Sequence, residues 1–216
     1  MRRKRAAPLD DRSNRPHLAA MTDTRQHILA TGRALVARRG YTGVGLSELL
    51  REAGVPKGSF YHFFKSKEAF GCALLDSFVE GYAEDLAATL DAPGLNARAR
   101  LMAYFEGWRA RQSGEAYEAR CLVVKLSAEV AELSPGMTEV LARGVSSITA
   151  RLASVIREGA ADGSLPAHDD ASALAVTLYQ IWLGASLMGA LSRDTIPYDS
   201  AMAATAALID RKGPTA

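Results

Sequence analysis

The stretch Gly40–Phe70, GYTGVGLSELLREAGVPKGSFYHFFKSKEAF, decides the fold of this 216-residue chain. Apolar residues recur in it at helical spacing and predict a short helix. The inward positions of that helix are Leu46, Leu49, Leu50 and Ala53. Gly54 follows where a helix commonly ends on a left-handed residue. Pro56 then begins another short helix, at about residues 57–63, because proline is favoured in a first turn. Two short helices joined by a glycine-containing turn form a helix-turn-helix.

The helix at residues 57–63 has two unlike faces. At about 100° per residue, Phe60 and Phe64 share one face, which suits a hydrophobic core. The opposite side carries a glycine, an imidazole, a hydroxyl and a phenol, at Gly58, His62, Ser59 and Tyr61. Glycine lets a backbone approach closely, and the polar groups can bond to DNA bases or phosphates. An ordinary surface hairpin would have the same polar residues, so both interpretations stay open at this point.

Two lysines lie beside the start of the next predicted helix. Lys65 and Lys67 flank Ser66, which is expected to cap a long helix reaching about Leu90. A helix N-terminus presents free N–H groups that favour an anion. This segment therefore adds to the predicted contact with a polyanion.

The charge of the chain is unevenly distributed. Residues 1–21 carry a net charge of +4, residues 22–67 carry +5 and residues 68–216 carry −7. A basic N-terminal third on an acidic body favours a polyanion partner, although a solvated basic surface has the same charge. The composition, with 48% hydrophobic and 23% charged residues, excludes collagen-like, low-complexity and wholly disordered chains.

Several classes of function lack their sequence motifs here. Two cysteines, Cys72 and Cys121, are too few for a disulfide scaffold or a cysteine-rich zinc module. The four histidines are scattered without metal-ligand spacing. The sequence has no nucleophile elbow, phosphate loop or paired-carboxylate motif, so we expect neither an enzyme nor a cofactor. No signal peptide opens the chain, which favours the cytoplasm.

The whole chain is predicted to be all-α, with about nine helices. The first helix is expected from a cap at Thr22 or Asp23 to Gly40, after a flexible basic tail. Met21 is an alternative start codon, in which case the tail is not native. Five further helices are predicted at about 97–112, 117–132, 136–161, 169–192 and 199–211, with Pro197 separating the last two.

The stretch Ala171–Ser192 contains no charged residue and has the length of a bilayer span. Its serines, threonine and glutamine, together with the charges at both ends, favour burial between subunits instead. Small residues such as Gly184 allow another helix to approach closely. Pairing this helix and residues 199–211 with the same helices of a second chain would form a four-helix bundle.

The run Lys-Gly-Ser-Phe-Tyr followed by Phe-Lys-Ser-Lys-Glu closely resembles the DNA-binding domain of TetR-family transcriptional regulators. The resemblance covers about Thr22–Leu75. It implies a three-helix DNA-binding domain with a recognition helix at 57–63, followed by an all-helical ligand-binding and dimerisation domain. The implied division is a tail at 1–21, a DNA-binding domain at 22–67 and a body at 68–216.

The resemblance also implies roles for single residues. Tyr61 and Lys67 would contact phosphates, while Ser59 and His62 occupy positions that contact bases or the DNA backbone. The remaining expected DNA-binding residues are Ser47, Lys57, Gly58 and Lys65. Two positions depart from the family pattern: Pro56 replaces a capping Ser or Thr, and Phe63 replaces a His that would contact a phosphate.

A second segment resembles a subgroup of the same family. Ala119-Arg120-Cys121-Leu122, followed by Leu126 and Glu129, is similar to a Gly-Cys-Leu opening of a mid-body helix. Some members of that subgroup respond to reactive electrophiles or unsaturated acids. Arg120 replaces the glycine and Lys125 replaces a usual Asn; a nearby cation favours the reactive thiolate. A free cysteine is more often a small buried hydrophobe, so both roles stay open for Cys121, while Cys72 is predicted to be structural.

Large residues in the body are candidates for an effector pocket. Trp108 and Trp182 are favoured because an indole N–H needs a partner at a pocket wall. The wider set is Tyr104, Tyr117, Tyr179 and Met188, although such residues are more often plain core.

The sequence therefore predicts a homodimeric repressor that binds a palindromic operator and responds to a small-molecule or electrophilic effector. A helical binding module without DNA activity is the alternative, and the basic segment argues against it.

Overall fold

In a computed structural model of the chain, residues 15–113 and 122–211 are described, and they form nine α-helices and no strand. The helices are α1 (Arg15–Arg39), α2 (Leu46–Ala53), α3 (Lys57–Phe63), α4 (Lys67–Leu90), α5 (Ala97–Ser113), α6 (Leu122–Leu133), α7 (Pro135–Asp162), α8 (Ala171–Ser192) and α9 (Ile196–Ile209). The prediction of an all-α fold is confirmed.

The first helix is longer than predicted. It begins at Arg15 rather than at Thr22 or Asp23, so the predicted start is wrong and the last part of the predicted tail is helical. Pro16 lies in the first turn, where its missing N–H has no intrahelical partner to lose. The Leu-Ala-Ala that follows has high helix propensity, which outweighs the cap signal farther along. Of the predicted tail, residues 1–14 lie outside the described part of the chain.

Other helix ends agree with the sequence or differ by a turn. Gly54 has a left-handed backbone (φ 63°), as predicted for the end of α2. The Ser66 hydroxyl accepts a hydrogen bond of 3.0 Å from the Ala69 amide and caps α4. Pro197 does not separate helices, because α9 begins at Ile196 and holds this proline in its first turn. The predicted start of α6 at residue 117 lies outside the described residues.

Two hydrophobic clusters hold the helices together. The first joins α1, α2 and α3 to the start of α4, to α6 and to the start of α7. The second joins the end of α4 to α5, to the rest of α7, to α8 and to α9, and it contains Trp108 and Trp182. Val123, Leu126 and Val130 of α6 are buried in the first cluster, so α6 shares a core with the helix-turn-helix.

Helix α8 is long and apolar enough to cross a membrane, judged by its length and composition. One face packs into the second cluster, where Leu178 and Trp182 are fully buried. The other face exposes Val176, Leu187 and Leu191, the last with 71% of its surface accessible. Helix α8 thus serves as a core helix on one side and leaves an apolar stripe on the other.

Candidate DNA-binding and effector sites

Three phenylalanines fix helix α3 to the rest of the domain. Phe60 is fully buried, and its ring centroid lies 5.3 Å from that of Phe64 and 5.7 Å from that of Phe70. Such tilted aromatic pairs stabilise a core beyond the area that they bury. The predicted inward face of this helix is confirmed, and the contact between Phe60 and Phe70 joins α3 to α4.

The outward face of α3 is open. Lys57, Gly58, Tyr61 and His62 are exposed, and Ser59 is half-buried. A Cβ atom placed on Gly58 would meet nothing within 4 Å, so the fold itself does not require glycine there. Without a side-chain cap, the helix begins with the amide of Ser59 donating to the Pro56 carbonyl over 3.0 Å.

The other predicted contact residues differ in how freely their side chains can move. Ser47 on α2 and Lys65 after α3 are both exposed. Lys67 is half-buried: its ammonium lies 3.3 Å from the Tyr41 carbonyl oxygen and 4.7 Å from the centroid of the Tyr41 ring. An ammonium has three donors, so Lys67 keeps donors for a phosphate while it is held in place.

Helix α6 grips the end of α1 through two side chains, which we call the α6 clamp: Lys125 and Glu129. The Lys125 ammonium donates to the carbonyls of Ala37 and Arg38, the latter over 2.9 Å. The Glu129 carboxylate accepts from the Tyr41 amide over 3.1 Å and from the amide and hydroxyl of Thr42. A cation on the last carbonyls of α1 also complements the helix dipole.

The contacts of the clamp with the α1–α2 turn lower the pKa of Glu129 and place its carboxylate close to Gly40. Burial raises the pKa of Glu129, but the hydrogen bonds from Thr42 and Tyr41 and the charge of Lys67 have a larger opposite effect. The pKa therefore lies below its ordinary value. Gly40 ends α1 with φ 78°, and a Cβ there would lie 2.9 Å from a Glu129 oxygen. The left-handed conformation favours glycine at this position, and a side chain there would also displace the Glu129 carboxylate.

Tyr41 links the same turn to α4. Burial, together with the charges of nearby acidic groups, raises the pKa of Tyr41 to about 12. Its phenol stays protonated and donates a 2.6 Å hydrogen bond to the Lys67 carbonyl. The α1–α2 turn is thus tied to the helix that runs into the body.

Sequence reasoning found Lys125 and Glu129 only as parts of a motif around Cys121. Their spacing of four residues on a predicted helix places them on one face, which was the available signal. Their partners are backbone groups nearly ninety residues away in sequence, at Ala37 and Thr42. A contact of that kind depends on tertiary structure and leaves no local pattern.

Three predicted effector residues lie together in the second cluster. The ring centroids of Tyr104 and Trp182 are each 6.0 Å from that of Trp108. Of the three, Trp108 lines a cavity of about 350 Å³ that opens between α1, α4 and α5. The indole N–H groups of Trp108 and Trp182 both donate to buried hydroxyls over 2.9 Å, at Ser186 and Thr205. The Tyr104 hydroxyl bonds to that of Tyr82.

The remaining candidates lie elsewhere. Tyr179 is buried in the second cluster and Met188 is exposed on α8, while Tyr117 and the sensor candidate Cys121 lie outside the described residues. Cys72 is half-buried, and burial and the neighbouring carboxylates raise the pKa of its thiol. A raised pKa disfavours the reactive thiolate, as the predicted structural role requires. Within 15–113 and 122–211, no three His, Cys, Asp or Glu side chains converge as metal ligands would.

Both parts of the chain match known families. Residues 28–70 match the family described as bacterial regulatory proteins, tetR family, and residues 97–205 match the tetracyclin repressor-like C-terminal domain. The transcriptional repressor NemR of Escherichia coli K12 is 41% identical over 84% of this chain and 91% of its own length. The transcriptional regulator AcuR of Cereibacter sphaeroides is 31% identical over 90% of each chain. The crystal structure of the reduced form of E. coli NemR, 40% identical, has a TM-score of 0.83 and covers 89% of this chain and all of that one.

Replacing Glu129 with Gln removes the negative charge of the clamp and replaces one of the two acceptor oxygens with an amide nitrogen. We expect the free energy of unfolding at neutral pH to fall by about 1–3 kcal/mol, because charged hydrogen bonds are lost. A carboxylate whose pKa is lower in the folded state than in the unfolded state stabilises the fold when the pH is above the unfolded-state pKa. That stabilisation is lost as the pH falls through the folded-state pKa. The difference between wild type and Glu129→Gln should therefore shrink below about pH 4.5, the ordinary value of the group.

Urea unfolding of both proteins at pH 7 and pH 4 measures this. Glu132→Gln is the matched control, since Glu132 is exposed on the same helix and no bond from it to α1 is seen. Equal stability of Glu129→Gln and wild type at pH 7 would show that the clamp contributes nothing.

Proposed function

The chain belongs to the TetR family of transcriptional regulators, and from this we propose that it is a homodimeric repressor that binds a palindromic operator and is released by an effector. The observation that carries the proposal is the outward face of α3, which is polar and open while its inward face is fixed by Phe60. The relatives that it matches are transcriptional regulators rather than enzymes. A regulator of this kind works on the chromosome, so we place it in the cytoplasm.

We assign the DNA contacts to one surface. In this proposal α3 enters the major groove, with Gly58 at the closest approach and with Ser59 and His62 facing bases or backbone. Tyr61 and Lys67 contact phosphates. Further contacts come from Ser47, Lys57 and Lys65. In this proposal the DNA-binding domain spans residues 22–67 and carries a net charge of +5, which attracts the DNA phosphates. The body, with a net charge of −7, lies away from the DNA.

Gly58→Ala tests the approach of α3 to the groove. Space around Gly58 is open and alanine is the better helix former, so the melting temperature should stay the same or rise. The added methyl group would stand between the helix and the bases, and operator affinity should fall by about tenfold or more, about 1.4 kcal/mol. A gel shift with the intergenic DNA upstream of the gene measures the affinity.

Companion variants separate the kinds of contact. Lys65→Ala should weaken binding to all sequences about equally, whereas His62→Ala should change sequence preference if the imidazole reads a base. Wild-type affinity should drop by roughly a thousandfold or more between 50 and 200 mM salt, if the dimer neutralises about 6–10 phosphates. Operator binding by Gly58→Ala as tight as that of wild type would argue against the groove contact.

The proposed dimer uses the exposed stripe of α8. Val176, Gln180, Gly184, Leu187 and Leu191 recur at helical spacing on its outer face and are all exposed. Large exposed apolar side chains in one stripe mark an interaction surface. A second copy of α8 and α9, related by a two-fold axis, would cover the stripe and complete a four-helix bundle.

Gly184→Leu tests this interface. A Cβ on Gly184 would meet nothing within 4 Å in the protomer, so a leucine there has room unless a partner helix covers it. We expect Gly184→Leu and Leu191→Asp to shift the protein from dimer to monomer in light scattering at micromolar concentration. Leu95→Asp is the control, because Leu95 is an exposed leucine, 48% accessible, in the loop before α5. A wild-type protein that is already monomeric would overturn the bundle.

For the effector we propose two elements of one response. Cys121 directly precedes Leu122 in the sequence, and the similar structure of E. coli NemR is that of a reduced form, which supports a thiol-based response. Arg120 and the start of α6 would both favour a thiolate there. Trp108, with Tyr104 and Trp182 behind it, forms the wall where a non-covalent effector would lie.

The two cysteines make the thiol response testable. A soft electrophile should release the operator from wild type and from Cys72→Ser, since the thiol pKa of Cys72 is raised and a thiol reacts as its anion. Cys121→Ser should keep its operator affinity after the same treatment. If Cys121→Ser releases DNA as wild type does, the response does not run through this thiol.

A further inference from the structure

The cavity beside Trp108 joins the DNA-binding part of the chain to the body. Its volume of about 350 Å³ lies in the range of small-molecule sites. Helix α1 contributes Arg33, α4 contributes Phe78, Gly81 and Tyr82, and α5 contributes Trp108 and Arg111. A Cβ on Gly81 would meet nothing within 4 Å, so the floor of the cavity at this glycine is open.

Two guanidinium groups are held on the aromatic wall of this cavity. The Arg33 guanidinium carbon lies 5.2 Å from the centroid of the Phe78 ring, and that of Arg111 lies 5.8 Å from the Tyr82 ring. These two rings are neighbours, with centroids 6.1 Å apart. Arginine stacked on an aromatic face keeps its edge donors free for a bidentate anion. Both arginines are half-buried, and among the described residues neither has a carboxylate within ion-pair distance.

Two carboxylates, Glu84 and Asp85, also line the cavity, so its formal charge is balanced. Both are exposed, which leaves them solvated and screened, whereas the guanidiniums lie against low-dielectric aromatic walls. The two guanidiniums are therefore less screened by solvent than the two carboxylates. The aromatic wall, from Phe78 to Trp108, suits a flat apolar group attached to that charge.

We propose that this cavity binds a small organic anion, a carboxylate on a flat apolar body, bridged between Arg33 of α1 and Arg111 of α5. As an effector site it rests on the proposed function, because it assumes a regulator whose DNA affinity changes on binding. Arg33 lies about one turn before Ala37, whose carbonyl is held by the α6 clamp. An anion that draws Arg33 toward α5 acts on the same helix end that positions the helix-turn-helix.

Benzoate is the probe, and benzamide is its neutral match. Calorimetry on the full-length protein should show benzoate binding that benzamide does not reproduce. Arg33→Gln and Arg111→Gln should each weaken benzoate binding by about tenfold or more, because each removes a charged hydrogen-bond pair. Arg157→Gln, an exposed arginine on α7 outside the cavity, is the control and should bind like wild type.

Operator binding is measured separately, with and without benzoate. Saturating benzoate should change the operator affinity of wild type by about fivefold or more, and should leave that of the Arg33→Gln, Arg111→Gln double variant unchanged. Equal binding of benzamide and benzoate, or full benzoate affinity in both single variants, overturns the anion site. Benzoate binding without any change in operator affinity overturns its bridging role. Failure of wild type to bind operator without benzoate counts against the proposed function, while calorimetry still decides the site.

Discussion

The hydrogen bonds that Lys125 donates to the end of α1, and that Glu129 accepts from the turn after it, are the constraint on which the rest of the arrangement depends. They join a body helix to the Ala37 and Arg38 carbonyls on one side and to the Thr42 backbone on the other. The polar contacts lie over a hydrophobic contact, because α6 also buries Leu126 in the cluster that contains Phe60. The end of α1 and the turn that leads into α2 are therefore held by α6 as well as by α4.

This arrangement gives changes in the body a short physical route to the DNA-binding surface. Glu129 of helix α6 holds the turn between α1 and α2. A displacement of α6 must move that turn or break its charged hydrogen bonds. A shift of a single element between two packed positions is how many regulators change state. In the proposal above, an anion between Arg33 and Arg111 would act on α1 about one turn before Ala37.

Local sequence was enough for the helix-turn-helix, because its glycine, its caps and its phenylalanine spacing are local features. The ends at Gly54 and Ser66 and the buried face of α3 follow from those rules. The start of α1 was not predicted correctly, because a proline in the first turn and the strong helix formers after it outweighed Thr22 as a cap. The clamp and the cavity join residues distant in sequence, and Trp182, expected at a pocket wall, meets its N–H partner at Thr205 in the core. Periodicity shows that an indole is buried but not what it faces.

Amide hydrogen exchange at Tyr41 and Thr42 tests the central claim most directly, since both amides donate to Glu129. We expect slow exchange in the untreated protein and faster exchange at these two positions under conditions that release the operator. The helical amides of α2 and α3 should keep their protection throughout, because the domain moves as a unit. Release of the operator with Tyr41 and Thr42 as protected as before would contradict transmission through the α6 clamp.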